Sequence, residues 1–140
     1  MDVLTPEQRR KNMSAIRGKD TNPERAVRSA LHRLGFRFRL HVPGLPGRPD
    51  IVLPRYWTAV LVHGCFWHRH PGCRFATTPA SRREFWERKF KENVERDRQA
   101  KQRLREAGWA VFVIWECQIN EIQILIEHLE RVRRNRNETR

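Results

Sequence analysis

The stretch GRPDIVLPRYWTAVLVHGC, residues 47–65, decides the fold. It opens inside GLPGRP (44–49), where alternating glycine and proline make turn chemistry. Two short apolar runs follow, IVL (51–53) and TAVLV (58–62), broken by Pro54 and Arg55. Their length and β-branched content predict adjacent antiparallel strands. Just upstream, Phe36-Arg37-Phe38-Arg39-Leu40 alternates strictly, which predicts a strand with one buried face because successive side chains point to opposite sides. Far downstream, WAVFVIW (109–115) is apolar at consecutive positions and reads as a central strand buried on both faces.

Helices are expected around these strands. Thr5-Pro6-Glu7-Gln8 is a capping box, and Gly18 is placed to stop the helix it opens. Thr21-Asn22-Pro23-Glu24 opens a second, with apolar Ala26, Val27, Ala30, Leu31 and Leu34, ended by Gly35. Ser81-Arg82-Arg83-Glu84 predicts a third box, starting a long charged helix with Phe85, Phe90, Val94, Ala100 and Leu104 that closes at Gly108. A last amphipathic helix carries Ile122, Leu125, Ile126, Leu129 and Val132, and the basic tail over residues 131–140 is expected to fray. The order α-α-β-β-β-α-β-α predicts one α/β domain over residues 1–140, without repeats or an internal linker.

Composition narrows the class of partner. The chain of 140 residues carries 29 lysines and arginines against 16 acids, a net charge of +13. A pI of about 11.2 points to a polyanion, with nucleic acid first and an anionic membrane as the rival. No apolar run approaches the ~20 residues of a spanning helix, and MDVLTPEQRRKNMSAIR has no signal-peptide apolar region. Three cysteines, Cys65, Cys73 and Cys117, argue against a secreted disulfide framework and for metal ligation in the cytosol.

Phosphodiester cleavage needs a hard cation near the scissile phosphate, so a carboxylate on a rigid strand is the first requirement. Asp50, after the turn and at the head of an apolar strand, meets it, although a strand-start aspartate often only closes a turn. A common nuclease design adds Glu-x-Lys on the next strand, but here that strand reads Val60-Leu61-Val62-His63. The compensating feature is HGCFWHRHPGC (63–73), with three histidines, two cysteines and two consecutive aromatics in one loop. Histidine titrates near neutrality and exchanges protons with water at a phosphate. Burying this set without a ligand would strand several polar groups.

GRPDIV (47–52), VHGCFWHRHPGC (62–73), EFWERK (84–89), KENVERDR (91–98) and WECQ (115–118) together resemble the very short patch repair endonucleases, in order and spacing, from about Lys11 to Gln118. The resemblance implies a restriction-endonuclease-like core, a mixed central sheet flanked by helices, and a structural zinc site. It implies a Mg²⁺-dependent enzyme that nicks double-stranded DNA 5′ of the thymine in T·G mismatches left by 5-methylcytosine deamination. By resemblance, Asp50 is the magnesium carboxylate and Val62 binds through its backbone carbonyl where the best-known members have threonine. His63 lies against the scissile phosphates, and His68 transfers the proton at the attacking water. Glu24 orients it or shares water around the metal, unless it serves only its capping box.

The same resemblance gives zinc to His70, Cys73, Asp97 and Cys117, with His68 as an alternative to His70, since Pro71-Gly72 departs from the family pattern. It leaves Cys65 as a small packed residue. Phe66, Trp67 and Trp86 become a wedge between bases, although all three also read as core aromatics. Met13 enters from the opposite groove, so residues 1–18 clamp the duplex, where Arg9, Arg10, Lys11 and Arg17 suit phosphates. A bacterial, nucleoid-associated monomer is implied, linked to a cytosine-5 methylase and to mismatch-repair proteins. Two rivals stay open: a restriction-type nuclease with another target, and a non-catalytic, zinc-stabilised DNA-binding module.

Overall fold

The computed structural model describes residues 21–138. The first expected helix, with Met13 and the basic residues Arg9, Arg10, Lys11 and Arg17, lies outside the described residues. Helix α1 (Asn22–Arg33) starts as its sequence predicts. Thr21 Oγ1 accepts the Glu24 N–H at 3.4 Å, and Pro23 sits in the first turn. Gly35, at φ +79°, takes the left-handed conformation that ends the helix, and the Phe36 N–H closes on the Leu31 carbonyl at 3.0 Å.

The alternation over 36–40 buries Phe36 and half-buries Phe38 against the core, yet only β1 (Arg39–Leu40) pairs. The strand is short because His41 turns left-handed at φ +46°. Strands β2 (Ile51–Leu53) and β3 (Thr58–His63) form the predicted antiparallel pair, in register Ile51↔Val60 and Leu53↔Thr58. A 3₁₀ turn over Pro54–Tyr56 joins them, with Trp57 at φ +49°.

Helix α2 (Cys65–His68) is a single turn inside the loop, and α3 (Arg83–Glu106) is the long charged helix. Ser81 does not cap α3: the chain enters through Arg82 at φ +56°, with no side-chain cap. Strand β4 (Ala110–Trp115) then pairs parallel to β3, with Thr58↔Ala110 and His63↔Trp115. A parallel return of this kind needs a crossover helix, which α3 supplies. The sheet order is β1-β2-β3-β4, so the sheet is mixed and the fold is α/β.

That order corrects the expected place of WAVFVIW. Among the described residues β4 is an edge strand in which only Ile114 is buried, and the central buried strand is β3. Its unbroken apolarity arises because both faces are partly covered despite the edge position: Phe112 and Ile114 join the core, and Trp115 on the other side meets His63 and His70. A 3₁₀ segment, Glu116–Glu121, leads into α4 (Ile122–Glu138), which is helical over the described part, residues 131–138, of the stretch expected to fray. Arg133 helps to seat it, with its guanidinium carbon 4.0 Å from the centre of the Phe36 ring.

The core lies between α1, α4 and one face of the sheet: Val27, Leu31, Phe36, Ile51, Leu53, Val60, Ile114, Leu125 and Leu129. Because side chains alternate, Asp50, Leu61 and His63 project to the opposite face, beneath α3. Gly47 sets that spacing. A Cβ there would meet the Ala100 Cβ of α3 at 2.6 Å, and its φ of +72° favours glycine. No helix among the described residues is long and apolar enough to cross a membrane.

Candidate active site

Between the sheet and α3 lies a cleft of about 760 Å³. Its walls include Glu24, Asp50, Val62, His63, Trp67, His68, Trp86 and Asp97, with the polar residues Arg48, Lys89, Asn93 and Arg96 around them. Asp50 is fixed by the backbone: the Val62 N–H donates to its Oδ2 at 2.7 Å. Burial pushes its carboxyl from 3.8 up to about 7; the Val62 hydrogen bond opposes the shift, while Glu24 adds to it through charge and a hydrogen bond. Glu24 is only 3% exposed, and its Oε2 accepts from Arg28 at 2.8 Å.

His68 faces the cleft from the end of α2. Its Nδ1 is 2.6 Å from Asp97 Oδ2 on α3, a contact that fixes the ring and does not use Nε2. The ring stacks on His63 at 3.9 Å and 4°. His63 is 4% exposed, and burial, with the His68 charge next, pushes it down to about 3, so it is neutral at ordinary pH. Its buried Nδ1 has no hydrogen-bond partner.

A second cluster lies behind the loop. One donor atom each from Cys65, His70, Cys73 and Cys117 falls within 4.8 Å of all the others. Cys73 Sγ and Cys117 Sγ are 3.7 Å apart, Cys65 Sγ and His70 Nδ1 3.7 Å, and Cys117 Sγ and His70 Nδ1 3.2 Å. Four ligands around a tetrahedral ion bound at ~2.0–2.3 Å are separated by about 3.3–3.8 Å, so this donor set suggests a zinc site. Of the four residues expected there, Asp97 is not brought in and Cys65 takes its place. Asp97 is engaged by His68, whereas Arg69, left-handed at φ +54°, lets the His70 N–H close on the Cys65 carbonyl at 3.1 Å and sets residues 65 and 70 side by side. His70, not His68, joins the sulfurs.

The three expected wedge residues form one aromatic group: Phe66–Trp67 at 5.5 Å, Trp67–Trp86 at 5.8 Å and Phe66–Trp86 at 6.4 Å between ring centres. Phe90 backs them, 5.2 Å from Phe66. The Trp67 Nε1 is buried without a hydrogen-bond partner. Arg69, inside the HGCFWHRHPGC motif but without an expected role there, pins this loop. It donates to the carbonyls of Phe66, Ala76 and Thr77 at 2.9–3.1 Å, and its guanidinium carbon lies 3.9 Å from the centre of Phe90. Asp97 had a signal of its own: Trp86, Lys89, Asn93, Asp97 and Ala100 recur at helical spacing and all line the cleft.

Known proteins resemble the chain over most of its length. The family described as DNA mismatch endonuclease Vsr matches residues 1–74. The chain is similar to the type II nicking enzyme V.XorIIP of Xanthomonas oryzae pv. oryzae, at 46% identity over 131 residues, covering 94% of this chain and 96% of that relative. DNA mismatch endonuclease Vsr of Escherichia coli is 47% identical over 116 residues, 83% of this chain and 74% of the relative. The type II nicking enzyme V.NmeAIP of Neisseria meningitidis is 40% identical over 131 residues, 94% and 93%. With that coverage added to a cleft that gathers a strand aspartate and a carboxylate-held histidine, and to a Cys/His cluster behind it, the chain belongs to the DNA mismatch endonuclease Vsr family, a family of DNA nicking endonucleases.

Proposed function

We propose that this chain nicks one strand of duplex DNA on the 5′ side of the thymine in a T·G mismatch, and so starts very short patch repair of deaminated 5-methylcytosine. The observation that carries the reading is a single cleft lined by Asp50, by the His68–Asp97 pair and by Trp67 and Trp86. Groups suited to hydrolysis and groups suited to unstacking bases face the same space. A wobble pair is easier to disturb than a matched one, so an aromatic wedge beside the scissile bond contributes selectivity.

Asp50 and the Val62 carbonyl would hold magnesium, with Glu24 sharing water around it; the fit is supported by two adjacent carboxylates, one of them held up to about 7 by burial, which together favour a cation. Bound there, Mg²⁺ supplies Lewis-acid polarisation of the scissile phosphate. His68, oriented by Asp97, takes the proton of the attacking water through Nε2. Neutral His63 donates one N–H to a phosphate oxygen, and Glu24 orients the water. Lys89 and Arg96 at the cleft suit phosphates. Zinc at Cys65, His70, Cys73 and Cys117 would tie the loop to the end of β4, and a closed set of four ligands suits a structural ion. In the cell the enzyme acts as a monomer alongside a cytosine-5 methylase and mismatch-repair proteins.

The relatives named type II nicking enzymes favour a second reading, a nick at another target. Nicking of labelled T·G, T·A and C·G duplexes with Mg²⁺ decides between them. Cutting confined to the T·G strand is expected, and equal cutting of T·A overturns the mismatch specificity.

A further inference from the structure

Behind the two cleft carboxylates lies a pair of residues that the mechanism above does not use. His41 stands in the connection between β1 and β2, outside every motif. Its backbone is left-handed at φ +46°, a conformation that a residue with a side chain adopts only when its surroundings hold it there. Two contacts do so. The His41 N–H donates to the Asp50 carbonyl at 3.2 Å, and its ring Nε2 lies 3.5 Å from Glu24 Oε2. Arg28, one helical turn after Glu24 on α1, donates from Nη2 to that same Oε2 at 2.8 Å and lies 3.3 Å from His41 Nε2. One residue therefore grips the strand of Asp50 with its backbone and the carboxylate of Glu24 with its ring, while the guanidinium closes the third side.

We infer that His41, supported by Arg28, is a positioning residue for strand cleavage: it locks the Glu24 carboxylate of α1 to the strand that carries Asp50, so that both acids are held at one cation site. Neither His41 nor Arg28 lines the cleft, whereas Glu24 and Asp50 both do, so the pair acts through the acids rather than on the DNA. Glu24 and Asp50 come from elements far apart in sequence, and the donor atoms of Glu24, His41 and Asp50 all fall within 4.8 Å of one another. A shift of about 1 Å between two such groups is enough to cost roughly 100-fold in rate. His41 is the link that prevents it.

The inference rests on the nicking reading above, and its test has one arm that does not depend on cleavage. In that arm, Mn²⁺ is titrated against the DNA-free, full-length protein and free ion is followed by electron paramagnetic resonance. His41→Ala and Glu24→Gln each weaken binding about fivefold or more, the double variant is no weaker than the worse single, and His41→Gln, whose amide can meet both Glu24 and Arg28, restores most of the affinity. In the second arm, single-turnover nicking of a T·G duplex falls about tenfold or more in His41→Ala and in Arg28→Ala while duplex affinity is kept, and His41→Ala costs nothing further in a Glu24→Gln background. Circular dichroism melts check that each variant is folded, and Arg28→Ala, which removes the other contact to Glu24, stands in if His41→Ala is not. Unchanged Mn²⁺ affinity in His41→Ala, or a His41→Ala cost that persists in full once Glu24 is removed, overturns the inference. A wild-type protein that binds Mn²⁺ through this coupling but nicks no T·G duplex would sink the nicking reading alone.

Discussion

His68 and His70 stand two residues apart in one loop, yet the fold gives them opposite surroundings. His68 closes α2, bonds Asp97 through Nδ1 and faces the cleft. His70 lies past the left-handed Arg69, among three sulfurs, with its ring stacked 4.3 Å from Trp115. The first lines an open cleft; the second is closed on itself. One backbone turn divides the two duties, so chemically identical side chains are sorted by φ at the residue between them.

Variants that break this contrast should differ in kind as well as size. The largest effect belongs to Asp50→Ala, which should reduce nicking by about 10³-fold or more, since it removes the strand carboxylate of the cation site. Mismatch binding, read by gel shift, should survive. A non-catalytic DNA-binding module would instead show no nicking in either protein. Next, His68→Ala should slow single-turnover nicking by about 10²- to 10⁴-fold with zinc retained. His70→Ala should lose zinc and lower the melting temperature. Metal analysis beside the rate assay separates them, and loss of zinc from the His68 variant would erase the distinction.

Cys65→Ser and Asp97→Asn sharpen the same comparison at the fourth ligand. The cysteine variant should fall well below the ~1 zinc per chain of a filled structural site. The asparagine variant should keep its zinc and nick roughly 10- to 100-fold more slowly, as expected when the partner that orients a functional histidine is lost. The reverse pattern would return Asp97 to the zinc set.

Asp50 also predicts a conflict between function and stability. Its folded pKa is raised from 3.8 to about 7, so the folded state binds the proton more tightly than the unfolded chain. The resulting stabilisation is complete below pH ~4 and is lost as pH rises towards 7. Metal-free Asp50→Asn should therefore melt above the wild type at pH 8, with the gap closing as pH falls to 4. A gap that widens on acidification would have the wrong sign. The smallest effect is at Gly47: alanine there meets Ala100 at 2.6 Å in a left-handed turn, and should cost about 1–3 kcal/mol in denaturant unfolding.

Much of this was legible in the residues. Apolar runs around Pro54-Arg55 identified the β2–β3 pair, Thr21 and Gly35 marked both ends of α1, and the order of elements predicted the α/β class. Asp50 was a candidate as the carboxylate at the head of a rigid strand, and His63 and His68 because residue types so reactive rarely crowd a short loop without a ligand. Less legible were features that depend on distance across the fold. WAVFVIW is apolar throughout whether it lies at the centre or the edge of a sheet, since partial cover on both faces selects the same residues. Ser81 has the chemistry of a cap, but Arg82 takes a left-handed turn that local sequence does not announce.

The sequence by itself determined which groups are available: one strand carboxylate, a loop of histidines, cysteines and aromatics, and a strongly basic surface. Tertiary structure alone decided how they are shared out. Asp97 goes to His68, Cys65 completes the sulfur cluster, and His41 reaches back to hold Glu24 beside Asp50. Local propensity acts over a few residues and is written in the chain. A ligand set is fixed by where a left-handed turn, a crossover helix and a parallel strand bring distant atoms to within a few ångströms, and that is settled only when the core packs.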